Sequence, residues 1–287
     1  MDAHLAHYRA PEQPASWAAQ LDVHLALREQ RTKIAHLSHK GPLRIQRPFY
    51  PESVGTAHVY VLHPPGGIAG GDQLLVTVEG GERTSSVFTT PSATKLYRSL
   101  GPRARLTQRL TVHRQAVLEW LPQETIAFGG AQADLKTLVY LEEDSTFLGW
   151  EILCLGRPAA ADDFRTGDIR TRFEIFRGAT PLFVDRLLVG EHSPLRTAAW
   201  GLRGQCATGT MVLTSKGEDL LGLVRHSLDL SALESGQAAC TELQELIVIR
   251  YVGSSVPECW ALFTRIWEAV RPVLTGQPAV APRIWSC

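Results

Sequence analysis

Trp17-Ala18-Ala19-Gln20-Leu21-Asp22-Val23-His24-Leu25-Ala26-Leu27 alternates with a period of two, so Trp17, Ala19, Leu21, Val23, Leu25 and Leu27 share one face of an extended strand. A helix is the competing reading of this stretch alone. The rest of the chain favours the strand. His58 to Leu62, Leu74 to Val78, Ser86 to Thr90, Arg105 to His113, Ala116 to Leu121 and Thr137 to Leu141 are short runs of the same kind, each bounded by Gly, Pro or polar turn residues. Phe147 to Leu155, Ile169 to Phe176, Leu182 to Val189, Thr210 to Thr214 and Leu246 to Val252 continue them without strand–helix alternation. The expected fold is mainly β: a single elongated multi-stranded β domain over 1–287, β-helical or stacked-sheet, with a few helices, mostly C-terminal. Residues 1–15, with His4 and His7, read as a flexible N-terminal extension. The late helix is marked by Ser255 as cap, Pro257 in the first turn and Trp260, Phe263, Trp267 and Val270 at helical spacing, and should end near Arg271-Pro272. Leu220 to Leu233 leaves helix and loop both open.

Composition narrows the function class. The 287 residues contain 29 Lys plus Arg and 29 Asp plus Glu, so no global field draws in nucleic acid or an anionic membrane. No apolar run is long enough to span a bilayer, and a cytoplasmic protein is the default expectation. Cys154, Cys206, Cys240, Cys259 and Cys287 are odd in number and contain no C-x-x-C pair, which suggests free thiols rather than a disulfide framework or a zinc finger.

His63-Pro64-Pro65-Gly66-Gly67-Ile68-Ala69-Gly70-Gly71-Asp72 is the densest motif, with Gly66, Gly67, Gly70 and Gly71 between two strand-like runs. Asp72 stands where a phosphate loop needs Lys, so nucleotide binding is disfavoured; a tight turn using positive φ is the structural alternative. Glu151 and Asp185 both lie in runs whose two faces look apolar, and a carboxylate buried there requires a partner, water or a cation. An internal salt bridge from Asp185 to a nearby Arg is the structural alternative. Glu174, aligned with Arg170 and Arg172, reads as solvated. Among ten histidines, His58 and His63 are candidate metal ligands, but no Cys or acid completes a fixed site. Hydrolase signatures are absent, and Lys95 is either a functional cation near the glycine loop or a solvated lysine.

Several strings taken together resemble the UreD (UreH) urease accessory protein family over nearly the full length. They are Gly41-Pro42-Leu43, Arg47-Pro48-Phe49-Tyr50-Pro51-Glu52, His63 to Asp72, Thr94-Lys95-Leu96-Tyr97-Arg98-Ser99, Leu118-Glu119-Trp120-Leu121-Pro122-Gln123-Glu124-Thr125, Gly149-Trp150-Glu151, Cys154-Leu155-Gly156-Arg157-Pro158 and Pro282-Arg283-Ile284-Trp285. The resemblance implies a non-enzymatic scaffold of mostly β structure that joins apo-urease to a UreF-like protein and, through it, a UreG-like GTPase. It also implies an internal water-filled passage for nickel, with Ni(II) in transit and no permanently bound cofactor. By motif position the passage residues are Asp72, Thr94, Lys95, Glu151 and Asp185. Ser92 stands where Gly is frequent in the family, and Asp185 where Glu is also seen. A dimeric UreF-like partner would impose two copies with twofold symmetry.

The bottom-up reading meets the resemblance at Glu151 and Asp185, since a wet passage supplies the water and cations that stranded acids need. A conduit must attract a cation yet release it, which a complete His and Cys cage would not do. The alternative is a docking scaffold with no nickel conduction of its own. A β-rich hydrolase using Asp72 and His63 as acid and base lacks a further catalytic partner.

Overall fold

Strand β1 (Ala18–Arg28) realises the opening alternation: Ala19, Leu21, Val23 and Leu25 are buried. Trp17 and Leu27, at its two ends, outrun the core and are more than a third exposed, contrary to the expectation of one uniformly buried face. The computed structural model describes residues 16–215 and 219–286; the 1–15 segment with His4 and His7, and Cys287, lie outside the described residues.

The strands that follow are β2 (Arg31–Lys40), β3 (Arg44–Ile45), β4 (Ala57–Leu62), β5 (Gly67–Ile68), β6 (Gln73–Gly80), β7 (Ser85–Thr89), β8 (Thr94–Leu96) and β9 (Ala104–Val112). Next come β10 (Val117–Trp120), β11 (Thr125–Ala127), β12 (Gln132–Leu141), β13 (Thr146–Leu155), β14 (Asp168–Arg177), β15 (Thr180–Gly190) and β16 (Ala207–Thr214). Helix α1 (Leu220–Ser227), β17 (Gln237–Leu243), β18 (Leu246–Gly253) and helix α2 (Val256–Thr275) complete the order.

Pairing turns this list into a coil. Strands β1, β6, β9, β12 and β14 run parallel in one sheet, and β4, β7, β10 and β13 run parallel in the other. A narrow third face is made by β5, β8 and β11. The chain visits the faces in turn, β4–β5–β6, then β7–β8–β9, then β10–β11–β12, so each circuit adds one parallel strand to each face, the arrangement of a β-helix. Antiparallel strands finish the edges: β2 beside β1, β15 beside β14, and β16, β18 and β17 in succession beside β13.

Because side chains alternate across a strand, the parallel register stacks inward-facing residues in layers. Val78, Leu110, Val139 and Ile175 form one such layer, and Leu74, Leu106, Leu135 and Thr171 another. Each aliphatic side chain fully buried in this way contributes about 1.5–3 kcal/mol. Between these two lies Val76, Gln108, Thr137 and Phe173, where the apolar stack is interrupted by two polar residues.

A second core lies on the other side of the larger sheet, under α1 and α2, and centres on Trp150, Phe263, Ile266 and Trp267. Helix α2 begins as its sequence requires: the Ser255 hydroxyl accepts a hydrogen bond from the Glu258 N–H at 3.2 Å, and Pro257 occupies the first turn. It does not stop at Arg271-Pro272. The helix carries Pro272 inside it and ends after Thr275, where Gly276 takes φ +71. Burial of Val270, Arg271 and Leu274 outweighs the one backbone hydrogen bond that Pro272 cannot donate. Leu220 to Leu233 resolves into α1 followed by a 3-10 turn at Leu230–Ala232.

Candidate functional site

The interrupted layer opens into a cavity of about 130 Å³ between the sheets, far more than the ~10–15 Å³ that one water needs. His63, Thr94, Gln108, Trp120, Glu151 and Thr171 are among its lining residues. Three of these carry polar atoms that are buried and without a hydrogen-bond partner: His63 Nε2, Gln108 Oε1 and Trp120 Nε1. Leaving such atoms dry costs about 1–3 kcal/mol each, so a cavity lined by them is a water-holding one.

Glu151 enters this space from β13. On the same strand Phe147, Leu153 and Leu155 join the inter-sheet core while Leu148, Trp150 and Ile152 join the core under α2, as its two apolar faces predict. Burial pushes the Glu151 carboxyl up to about 7, partly offset by the Thr137 hydroxyl and reinforced by the negative charge of Asp185. Near neutrality it therefore exchanges between acid and carboxylate. Burial holds the His63 imidazole below its ordinary value, against the pull of Asp72. A neutral imidazole, an amide oxygen and a titrating carboxyl are sparse donors for a divalent ion, and among the described residues no group of three His, Cys, Asp or Glu is placed to hold a metal.

Asp185 differs from the sequence reading. Strand β15 is the edge of its sheet, so its outer face is open to solvent, with Val184 48% and Leu188 53% exposed. The carboxylate points inward and is paired: Arg250 Nη1 donates to Oδ2 at 2.9 Å and the Thr210 hydroxyl at 3.3 Å. The salt-bridge alternative is thus realised, beside the cavity. Glu174 was expected to be solvated but is 4% exposed, because Arg172 and Arg186 lie over it at 2.5 and 3.4 Å. Sequence reading of a single strand does not show the cross-strand Arg186.

The remaining motif residues sort by contact. Asp72 accepts the Trp17 and Ala69 backbone N–H groups, both at 2.9 Å, and so ties the glycine loop to the start of β1. In that loop Gly66 takes φ +74, and a Cβ on Gly70 would meet Ser99 and the Pro102 carbonyl. Thr94 reaches the cavity; Lys95, its neighbour on β8, is exposed. His58 is buried behind the sheet, away from the cavity, with Nε2 2.7 Å from Glu52 Oε1. Glu52 also accepts from Arg271 Nη2 at 2.7 Å, and Arg271 Nε donates to Glu119 at 3.0 Å, a buried network joining α2 to β10. Burial raises the Glu119 carboxyl against the attraction of Arg271.

Sequence reasoning missed Gln108, Thr210 and Arg250. Gln108 had a signal: it is the polar member of the inward alternation Leu106, Gln108, Leu110, Val112. Arg250, in an apolar run one strand in from the edge of the sheet, had none that pointed to Asp185.

A family model described as "UreD urease accessory protein" matches residues 18–286. The "Urease accessory protein UreD" of Alcanivorax borkumensis is 41% identical over 274 residues, covering 94% of this chain and 92% of that relative. The "Urease accessory protein UreD 2" of Brucella anthropi is 40% identical over 94% of this chain and 98% of its own length. The Klebsiella aerogenes "Urease accessory protein UreD" is 39% identical over 96% and 98% respectively.

Proposed function

Since this chain belongs to the UreD urease accessory protein family, and so has a role in urease maturation, we propose that it is a non-catalytic cytoplasmic scaffold that passes Ni(II) through its interior. It joins apo-urease to a UreF-like protein and, through that protein, to a UreG-like GTPase, as two copies in a twofold complex. Nickel is cargo, and no cofactor is resident.

The observation that carries the reading is the polar lining inside the coil: Gln108 on one sheet, with Thr137 beside it in register, and Glu151 on the other, with Gln108 and Glu151 facing a cavity large enough for several waters. An all-aliphatic layer would stabilise the coil more, so the polar residues are retained at a cost in stability. Their chemistry suits transit, because one carboxylate and scattered neutral donors attract a hydrated divalent ion without the multidentate grip that slows release. His63 and Thr94 line the approach, and Asp185 lies beyond Glu151. Asp72 and the glycine loop serve the architecture of that approach.

The test is urease activation in cells lacking the native protein, with co-purification of the complex measured in parallel. Glu151→Gln and Asp185→Asn should assemble with apo-urease and the UreF-like protein as wild type does, yet activate urease poorly. Full activation by both variants would exclude conduction and leave the docking scaffold.

A further inference from the structure

The polar row does not stop at Glu151. In the antiparallel register Glu151 of β13 is opposite Thr210 of β16, and Thr210 is opposite Arg250 of β18. Residues directly opposite share a face, so the three form a line from the cavity toward the edge of the larger sheet. Asp185 reaches across from the other sheet and is held by Arg250 and Thr210 at 2.9 and 3.3 Å. Thr210 and Arg250 then line a surface groove of about 660 Å³, beside the exposed Trp200 and Leu230. Arg250 thus lines the groove while its guanidinium holds Asp185, whose charge is felt at Glu151 on the cavity wall.

We propose that Arg250 is the gate of the passage: it occupies Asp185 when no cargo is present, and swings into the groove when a divalent cation takes its place. This rests on the conduction reading above. A fixed cation on the path of a cation repels it unless it moves or is outcompeted. Two observations make it movable, and a third sets its resting position. The ion pair is half-exposed, with side-chain exposures of 53% for Arg250 and 25% for Asp185, and pairs this exposed hold weakly. The groove provides space for the displaced side chain. Among the described residues lining the groove none is acidic, so the position at Asp185 is the favoured one and the closed pair is the resting state. A monovalent ion gains too little at Asp185 to displace the guanidinium, whereas a divalent one gains about twice the attraction. Arg250 would thus select for charge as well as close the route.

Reconstituted activation tests it, using the full chain with apo-urease and its cognate accessory proteins and limiting nickel sulfate. Arg250→Ala should raise the initial rate of activation several-fold, and Arg250→Lys should stay near wild type. An unchanged or slower Arg250→Ala in an intact complex would overturn the gate. Glu151→Gln in the same series separates the two readings: if it activates normally the passage itself is wrong, and if it fails while Arg250→Ala gives no gain, the gate alone is wrong. Should Arg250→Ala disturb assembly, titration of nickel sulfate into the purified full-length Arg250→Gln chain decides. Tighter binding than wild type is expected, and equal affinity would count against displacement at Asp185.

Discussion

Glu151 faces the polar cavity, and its surroundings shift its titration. Its carboxyl rises from the ordinary 4.5 to about 7 in the folded chain, chiefly because burial disfavours the charged form. Below pH 4.5 it is protonated whether the chain is folded or not, so it contributes no charge-burial penalty there. Between 4.5 and about 7 the folded chain holds a proton that the unfolded chain has released, and stability falls as pH rises through that window. Unscreened, the penalty above the window would be about 3 kcal/mol; water in the cavity reduces it to the order of 1–2 kcal/mol. Glu151→Gln should therefore raise the midpoint of thermal unfolding by roughly 2–4 °C at about pH 8 and leave it nearly unchanged at about pH 4. Thermal melts across this range check it; a pH-independent gain would mean that the carboxylate is already fully solvated or paired.

Helix α2 shows what an element inherits from its sequence and what it takes from its surroundings. Its start was legible because Ser255, Pro257 and Glu258 are local signals. Its end was not, because the force that carries it through Pro272 is tertiary: Arg271 is 1% exposed and bridges Glu119 and Glu52. The strands divide in the same way. Alternation revealed β1, β6, β9 and β13, whereas the polar edge strand β2 left little pattern to read, with its last six residues exposed. Apolar residues on the open face of β15 made Asp185 look buried on both sides, since periodicity cannot distinguish a covered strand from an edge with an apolar outer face. Glu151 was legible because its neighbours on β13 alone show two apolar faces. For α2 the consequence is specific. Arg271→Met should destabilise the chain by about 3–5 kcal/mol, as it leaves two carboxylates buried without their cation. Adding Glu119→Gln should recover part of the loss. Urea unfolding followed by the fluorescence of Trp150, Trp260, Trp267 and Trp285, whose rings cluster at 4.9–6.2 Å, reports both variants. A mild single-variant effect would mean that water reaches the network.

At the scale of the whole molecule, the coil explains how one interior can be both a packed core and the wall of a polar cavity. Its circuits begin at residues 57, 85 and 117 with unequal lengths, so no strict sequence repeat announces them, yet parallel register aligns their inward residues into continuous layers. A substitution within one layer therefore changes the interior without touching the outer faces, the edge strands or α2. Gln108→Leu uses that separation. Leucine has nearly the volume of glutamine, extends the stack of Val76 and removes the unpartnered Oε1. The change should stabilise the chain by about 1 kcal/mol, since a buried acceptor without a partner is lost and apolar contact is gained. It also dries the layer opposite Glu151. Under conduction, the variant should co-purify with apo-urease and the UreF-like protein as wild type does, melt at a higher temperature, and activate urease more slowly at limiting nickel. Under docking alone, the more stable protein should activate at least as well as wild type. Gains in stability and losses in activation from one inward-facing residue of a layer are hard to produce except by narrowing a path through the middle.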